Sequence, residues 1–413
     1  FGEVTTRLRR ILVDRGQKRF SPGAWAALRF LDAKDPRAIR LLRIGLARWG
    51  FWGLNLASAL TRRLGLYRRQ EPPAATTGQP QAVTLAKELL RRSIRVEVPK
   101  KSFRQILGLE DATQVPILRD PQRSPEEMEA VFYFPGCGSE RLFSDIGLAT
   151  LALLYEQGVQ TVLPPGYLCC GYPQSAGGYE AQGRRLTMEN RVLFHRIANT
   201  LNYLDIRTVV VSCGTCMDQL LQYEFERIFP GCRLLDIHEY LIERGVTLAG
   251  GVVPQHGGEA ASVTAGGESW ARGGSGIQYL YHDPCHSPMK THAPLKVAAS
   301  LLGQPVTLTD RCCGEAGTLG SARPDIASQL RYRKAESLVQ GIRALTGRDH
   351  AQGDVKLLTA CPACQQGLAK YADETGLTTE YIVVELARYR QGQGWRERFL
   401  DRVLRGGIER VLL

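Results

Sequence analysis

The chain has 413 residues, 44% of them hydrophobic and 23% charged, with a formal net charge of +12. That length leaves room for two or three domains with sizeable cores, and the composition argues against disorder. Eleven cysteines are too sparse for a secreted disulfide scaffold, and their grouping in CC and CxxC pairs reads as metal or redox chemistry in a reducing compartment.

Residues 1–69 read as a basic, amphipathic helical arm. The opening FGEVTTRLRR has no methionine and no apolar signal core, so no export signal is visible and the start reads as internal to a longer polypeptide. Residues 1–100 hold 21 Lys and Arg against 7 Asp and Glu, whereas the rest of the chain holds 32 against 34. The charge belongs to the arm. A solvated helical surface, an anionic membrane surface and an acidic partner all fit it, while nucleic acid does not, because no binding motif accompanies the charge. Leu42, Leu46, Trp49, Trp52, Leu56, Leu60 and Leu64 recur at three- and four-residue intervals as one apolar face, with Arg40, Arg43, Arg48 and Arg62 expected to point away and Phe51 on the wrong side. The stretch from Trp49 to Thr61 is well short of the roughly 20 residues that span a bilayer, so no transmembrane helix is predicted.

Residues 70–127 follow as a linker and helix, with a Pro-, Thr- and Ala-rich segment from Gln70 to Ala82 and a helix around Thr84 to Ser93. A first cysteine-bearing domain is expected over 128–247: the strand AVFYFPGC, the helix IGLATLALLYEQG, then TVLPPGYLCC, then the strand TVVVSC. A glycine-rich linker over 248–276 separates it from a second domain over 277–380, where IQYLYHDPC, VTLTDRCC and VKLLTACPAC repeat the order. A helical tail over 381–413 closes the chain. Cys137 to Cys285 is 148 residues, Cys169 to Cys312 is 143 and Cys213 to Cys361 is 148, which marks a duplicated domain, since a solenoid repeats at a far shorter period. Short apolar strands alternating with helices predict an α/β fold with parallel strand–helix units, in which ligands gather at the carboxyl ends of strands. Five cysteines per half then converge on one site in each.

The first half places Cys137, Cys169, Cys170, Cys213 and Cys216 as C-x31-C-C-x42-C-x2-C; the second places Cys285, Cys312, Cys313, Cys361 and Cys364 as C-x26-C-C-x47-C-x2-C. A closed zinc site uses four tetrahedral ligands and has no place for a fifth thiolate. An iron–sulfur cluster offers several metal atoms, so adjacent cysteines can bind different irons and a fifth can bridge or stay free. Gly171 and Gly314, each just after a cysteine pair, would let the backbone approach the cluster and turn amides towards its sulfurs, or simply make a tight turn into a helix. Cys232 stands outside both sets as an ordinary small residue.

Both sets resemble the cysteine-rich CCG domain of heterodisulfide reductase and of the iron–sulfur subunits of glycolate, lactate and anaerobic glycerol-3-phosphate oxidation, over roughly residues 128–380. The resemblance implies two [4Fe–4S] clusters, cubane or non-cubane, one per half; the unusual gaps of the second half leave its cluster type open. The basic arm and the ending GWRERFLDRVLRGGIERVLL are similar to the C-terminal part of large bacterial FAD-linked oxidoreductases. That implies FAD on an upstream domain or partner subunit, a ferredoxin-like domain between flavin and cysteines, and a quinone or disulfide as acceptor. The function expected is an iron–sulfur electron-transfer module of a flavin-linked 2-hydroxyacid dehydrogenase, cytoplasmic or peripheral on the inner face of the membrane. The alternatives are a heterodisulfide-reductase-like subunit and a structural zinc scaffold.

Three further side chains are catalytic candidates. His282 and His286, with Asp283, surround Cys285 in YHDPCHS, and could donate a proton to a leaving thiolate or a hydrogen bond to a cluster sulfur; a cap or turn role is the alternative. Glu315 could relay protons, or favour a helix N-terminus. His195 and His238 read as packing or surface residues, and no nucleotide-binding signature is present.

Overall fold

The computed structural model describes residues 2–18, 22–64, 99–123, 128–248, 276–315 and 324–413. The Gln70–Ala82 segment, the helix expected around Thr84–Ser93 and nearly all of the glycine-rich linker lie outside the described residues.

Two sheets carry the fold. The first is six-stranded, in the order β10-β1-β3-β2-β4-β5, with β1 Gln114–Leu118, β2 Ala130–Phe134, β3 Gln160–Val162, β4 Ile206–Val211, β5 Arg233–Asp236 and β10 Ile408–Leu412. The second is four-stranded, in the order β7-β6-β8-β9, with β6 Gln278–His282, β7 Val306–Leu308, β8 Val355–Thr359 and β9 Thr378–Tyr381. Within β3-β2-β4-β5 and throughout the second sheet every pairing is parallel. The two sets therefore match strand for strand, β2 with β6, β3 with β7, β4 with β8 and β5 with β9. The residues explain the parallel pairing: all five of AVFYF in β2 are buried, as a strand covered by helices on both faces requires, in place of the alternation of a half-exposed strand.

One core runs through both halves. Val131 and Tyr133 of β2 and Leu151 of the helix Ser144–Glu156 belong to the same buried cluster as Tyr279 and Tyr281 of β6, Leu358 of β8 and Leu386 of the helix Ile382–Gln391. Separate clusters fill the far side of each sheet, around Phe132 and Phe194 in the first and Leu280, Leu338 and Leu357 in the second. The tail read as helical does form the helices Ile382–Gln391 and Trp395–Leu404, but ends in a strand. That strand, β10, pairs antiparallel with β1 from Gln114↔Leu412 to Leu118↔Ile408, so the last residues of the chain complete the first sheet.

The arm is helical over Gly2–Asp14, Pro22–Asp32 and Pro36–Leu42, continues as a π-helical stretch Arg43–Trp49 and ends in Gly50–Arg63. Asp35 caps the third helix by accepting from the Arg37 and Ala38 amides, with Pro36 in the first turn, where its missing N–H costs nothing. The expectation that Arg43 points away is corrected. Arg43 is buried and donates to the carbonyls of Arg141 and Pro99, because the wider π turn rotates the face read at the α-helical period. Trp49, Trp52, Leu56, Leu60 and Leu64 are exposed. The first helix packs on the first domain, with Arg9 donating to the Ala176 carbonyl (3.0 Å) and Lys18 to that of Gly177 (3.2 Å).

Candidate metal centre

All ten clustered cysteines lie beyond the carboxyl ends of parallel strands. Cys137 follows β2, Cys169 and Cys170 follow β3, and Cys213 and Cys216 follow β4; Cys285, Cys312 with Cys313, and Cys361 with Cys364 stand in the same relation to β6, β7 and β8. Local conformation repeats as well. Cys213 and Cys361 are the extended N-cap residues (φ −160 and −142, both with ψ 126) of the helices Gly214–Leu220 and Pro362–Ala369. Gly171 and Gly314 have φ of +90 and +75, a region open to glycine. The Gly314 amide donates to Cys312 Sγ at 3.4 Å, and the Gly171 amide hydrogen-bonds the sulfur of Cys169. Gly171 is also the N-cap of the helix Tyr172–Gly177, so turn and amide donor are one feature. At Gly136 a Cβ would stand 2.5 Å from Cys216 Sγ, which leaves glycine as the residue that lets the chain pass the sulfur on its way to Cys137.

The thiols form one continuous run. Side-chain contacts link Cys137 to Cys169, Cys169 to Cys170, Cys170 to Cys216 and Cys216 to Cys213. In the second half they link Cys285 to Cys312 (3.7 Å), Cys312 to Cys313, Cys313 to Cys364 (3.4 Å) and Cys364 to Cys361. Cys213 and Cys361 then lie close enough to shift each other's ionisation across the two halves. Read by repeat position, the run is the same from either end. The sequence suggested one site per half, and the structure adds that the two abut through their CxxC motifs. Tyr381 Oη seals the junction, donating to the carbonyls of Ser212 (2.8 Å) and Ala360 (3.1 Å).

Proximity controls ionisation. Cys137 and Cys364 are pushed well up by neighbouring thiols and by burial, whereas hydrogen bonds from Cys169 and Cys216 bring Cys170 down to about 6. Ten mutually close thiols in a mostly buried setting cannot all carry negative charge without a cationic centre among them. This donor set fits iron–sulfur clusters, which place several metal atoms within a short span and take thiolate ligands. Cys137, Cys169, Cys170, Cys213 and Cys216 would hold one and the other five the second. Cys232, buried and with its thiol raised to about 11 by burial, belongs to neither run.

The remaining candidates divide by surroundings. His286 lies on the seam: its Nε2 shares a 2.7 Å hydrogen bond with Tyr172 Oη of the first half, and its Nδ1 contacts Asp218. Lys290 also pairs with Asp218, at 2.8 Å. Burial acts to raise Asp218, but the bonds from His286 and Lys290 hold it below its ordinary value. Glu315 is gripped by Lys370 (2.6 Å) and Arg331 (3.2 Å), and the chain that follows, 316–323, lies outside the described residues. His282, at the end of β6, is buried, and one of its ring nitrogens lies within 4.8 Å of the sulfurs of Cys313 and Cys364. Asp283 accepts from Tyr281 Oη and Ser287 Oγ. His195 is exposed, and His238 is buried against Asp236 and Tyr381. Sequence reasoning passed over Lys334, whose ammonium is buried beside His282, and over Tyr172 and Asp218. The position of Tyr172 directly after CCG and of Asp218 two residues after CxxC was the available signal.

Comparison with known families matches residues 131–221 and 279–369 to the cysteine-rich domain CCG, and residues 369–413 to a domain of unknown function, DUF3400. Among curated proteins, one subunit of the fumarate reductase (CoM/CoB) from Methanothermobacter marburgensis is 27% identical over 59% of this chain and 42% of its own length. Lactate utilization protein A from an Exiguobacterium species is 24% identical over 54% of this chain and 86% of its own. A probable glycolate oxidase iron-sulfur subunit from Bacillus subtilis is 22% identical over 74% of this chain and 67% of its own. The chain spans about half the length of the archaeal relatives it matches.

Proposed function

This chain is built on two cysteine-rich CCG domains, and from that premise we propose that it is the iron–sulfur electron-transfer part of a flavin-linked dehydrogenase of small 2-hydroxy acids. The observation that carries the reading is the unbroken run of ten thiols from Cys137 to Cys285, which would set two clusters side by side. Bound clusters supply one-electron storage at potentials tuned by burial and by hydrogen bonds to sulfur. The chain's own residues do the rest. The cysteines hold the clusters, Gly171 and Gly314 turn amides towards sulfur, and buried Tyr381 fixes the distance between halves. Relatives named for lactate utilization and glycolate oxidase support the substrate class. Flavin and ferredoxin-like parts would lie upstream or on a partner. A quinone is the acceptor we favour, with the basic arm resting on the membrane; no helix among the described residues is long and apolar enough to cross one.

A second reading, reduction of a disulfide, is favoured by the seam, where His286, Tyr172 and Asp218 from different halves meet beside the exposed Cys285, and by the relative named for fumarate reductase (CoM/CoB). Anaerobic purification with iron and acid-labile sulfide analysis tests the shared premise: about eight iron and eight sulfide per chain are expected from two four-iron clusters. Zinc without sulfide would return the structural scaffold. Paramagnetic signals that change when a thiol is added to the oxidised protein would select disulfide chemistry, and their indifference to thiol selects the relay.

A further inference from the structure

The two halves match strand for strand and cysteine for cysteine, but they differ in the buried residue that ends β2 and β6. β2 and β6 each end three residues before their first cysteine, on Phe134 and His282. The register across the sheet agrees, since Phe134 pairs with Val211 and His282 with Thr359, each two residues before a CxxC motif. In the first half the position is apolar, with the Phe134 ring packed edge-on to Phe194 at 6.1 Å. In the second half it carries an imidazole, 1% exposed, close to Cys313 and Cys364.

Lys334 decides what that imidazole can do. Its ammonium, fully buried, donates to Thr309 Oγ1 (2.8 Å) and to the Asp310 carbonyl (2.7 Å), and lies 3.2 Å from His282 Nδ1. An ammonium has no lone pair, so Nδ1 must accept and the ring proton must sit on Nε2. His282 Nε2 is buried with no hydrogen-bond partner among the described residues. A buried N–H without an acceptor is costly, and the sulfur-rich site beside it, with Cys313 and Cys364 Sγ within 4.8 Å of a ring nitrogen, is where an acceptor would come from.

We infer that His282, oriented by Lys334, donates an Nε2–H hydrogen bond to sulfur at the second site and so sets that site at a higher reduction potential than the first. This rests on the iron–sulfur reading above. A donor to sulfur stabilises the more negative, reduced state, and the buried ammonium behind it acts in the same direction. With clusters bound, an electron that reached the pair would therefore settle on the second site. One electron would leave the first cluster and one would arrive at the second, with no bond formed or broken and no proton moved. On this inference His282 is a positioning residue for electrons and not an iron ligand, because Nδ1 is taken up by Lys334 and Nε2 carries the ring proton.

The test is a redox titration of the full chain, followed by electron paramagnetic resonance with dithionite as the one-electron reductant, after iron and sulfide analysis. Absence of both would defeat the iron–sulfur reading itself. In protein with both clusters, His282→Phe, which copies the first half, should lower the second midpoint by a tenfold change or more in the reduced-to-oxidised ratio, about 59 mV for a one-electron couple, and leave the first unchanged. His282→Gln, which keeps a donor, should recover part of the shift. An unchanged second midpoint in His282→Phe with full iron content overturns the inference. Should His282→Phe lose the second cluster, wild-type protein with 15N-labelled histidine decides: weak nitrogen coupling to the reduced second cluster supports the hydrogen bond, and strong coupling of a directly bound nitrogen, or none, overturns it.

Discussion

At the scale of single residues, the sharpest expectation separates the two cysteine sets. Cys170→Ser removes a thiol held among Cys169 and Cys216, and Cys313→Ser one held among Cys312 and Cys364. Each should delete the spectroscopic signal of its own cluster and spare the other, as metal analysis and low-temperature spectra of the two variants would show. Arg104 and Glu140 make a different kind of test. They form a buried ion pair in the first domain, with exposures of 0% and 1%, and Arg104 also donates to the Pro164 carbonyl at 2.8 Å. Burial raises the Glu140 carboxyl above its ordinary value. A raised carboxyl makes the folded state bind a proton more tightly than the unfolded chain, so its burden on stability appears as pH climbs past the ordinary carboxylate range and disappears below it. Arg104→Met leaves that carboxylate with only the buried Arg141 charge and the Leu168 amide to offset it, and should cost about 3 kcal/mol near neutral pH, the low end for a broken buried pair. The loss should shrink as the solution is acidified towards pH 4, measurable by denaturant unfolding at a series of pH values. A loss independent of pH would show that packing, not charge, is what Arg104 supplies.

At the scale of elements, the turns after the cysteine pairs differ in how much they tolerate. A Cβ on Gly171 would stand 2.8 Å from the Gly183 carbonyl oxygen, a backbone atom, whereas one on Gly314 would meet the Arg331 side chain at 3.0 Å. Both positions have positive φ, so alanine is strained at each by about 1–3 kcal/mol, but only the arginine can step aside. Gly171→Ala is therefore expected to lower first-cluster occupancy more than Gly314→Ala lowers that of the second, by iron content per chain. The paired cysteine motifs were legible in the sequence because each follows a short apolar strand, a pattern that survives without knowledge of tertiary contacts. Arg43 was not, since helical period alone cannot announce the π turn at Arg43–Trp49. Lys334 was hidden for a related reason: in RYRKAESL it looks like one more surface charge, and only the packing of helix Pro324–Thr346 over β6 turns it inward. The closing strand escaped because GGIERVLL carries no alternation that separates strand from helix, and β1 is its partner almost 300 residues earlier. Deleting residues 408–413 should bare the β1 edge and lower the thermal midpoint, with aggregation on unfolding.

For the whole molecule, the facing of the two halves could not have been read from the sequence. It depends on the helix Ile382–Gln391 lying against Ser144–Glu156, fixed by Gln391 donating to Glu156 at 3.1 Å and by the shared core, and no local pattern encodes which faces of two repeats meet. The arm poses the same problem at its outer side. From Pro36 to Arg63 the chain has six arginines, of which Arg43 is buried, and no acidic residue, and its exposed ridge includes Trp49 and Trp52, edge to face at 6.0 Å. Such a surface suits anionic lipid, where each basic side chain near the membrane adds roughly 1 kcal/mol at low salt. Replacing Trp49 and Trp52 together by alanine should abolish sedimentation with anionic liposomes and leave iron content intact; deletion of the arm is a poorer test, because Arg9 and Lys18 brace the turn after the first CCG. Binding that ignores lipid charge would show that the arginines take no part in it, and absence of binding to either lipid would return the ridge to packing on protein.

The even, unbroken line of thiols carries a liability of its own. Once metal is lost, every cysteine in the run has a neighbour with which it can form a disulfide, and the more exposed end of the line is at Cys285 beside Cys312. Air should therefore crosslink the bare protein from that end inward, and a chain so zipped could not take up iron again until a reductant had reopened it.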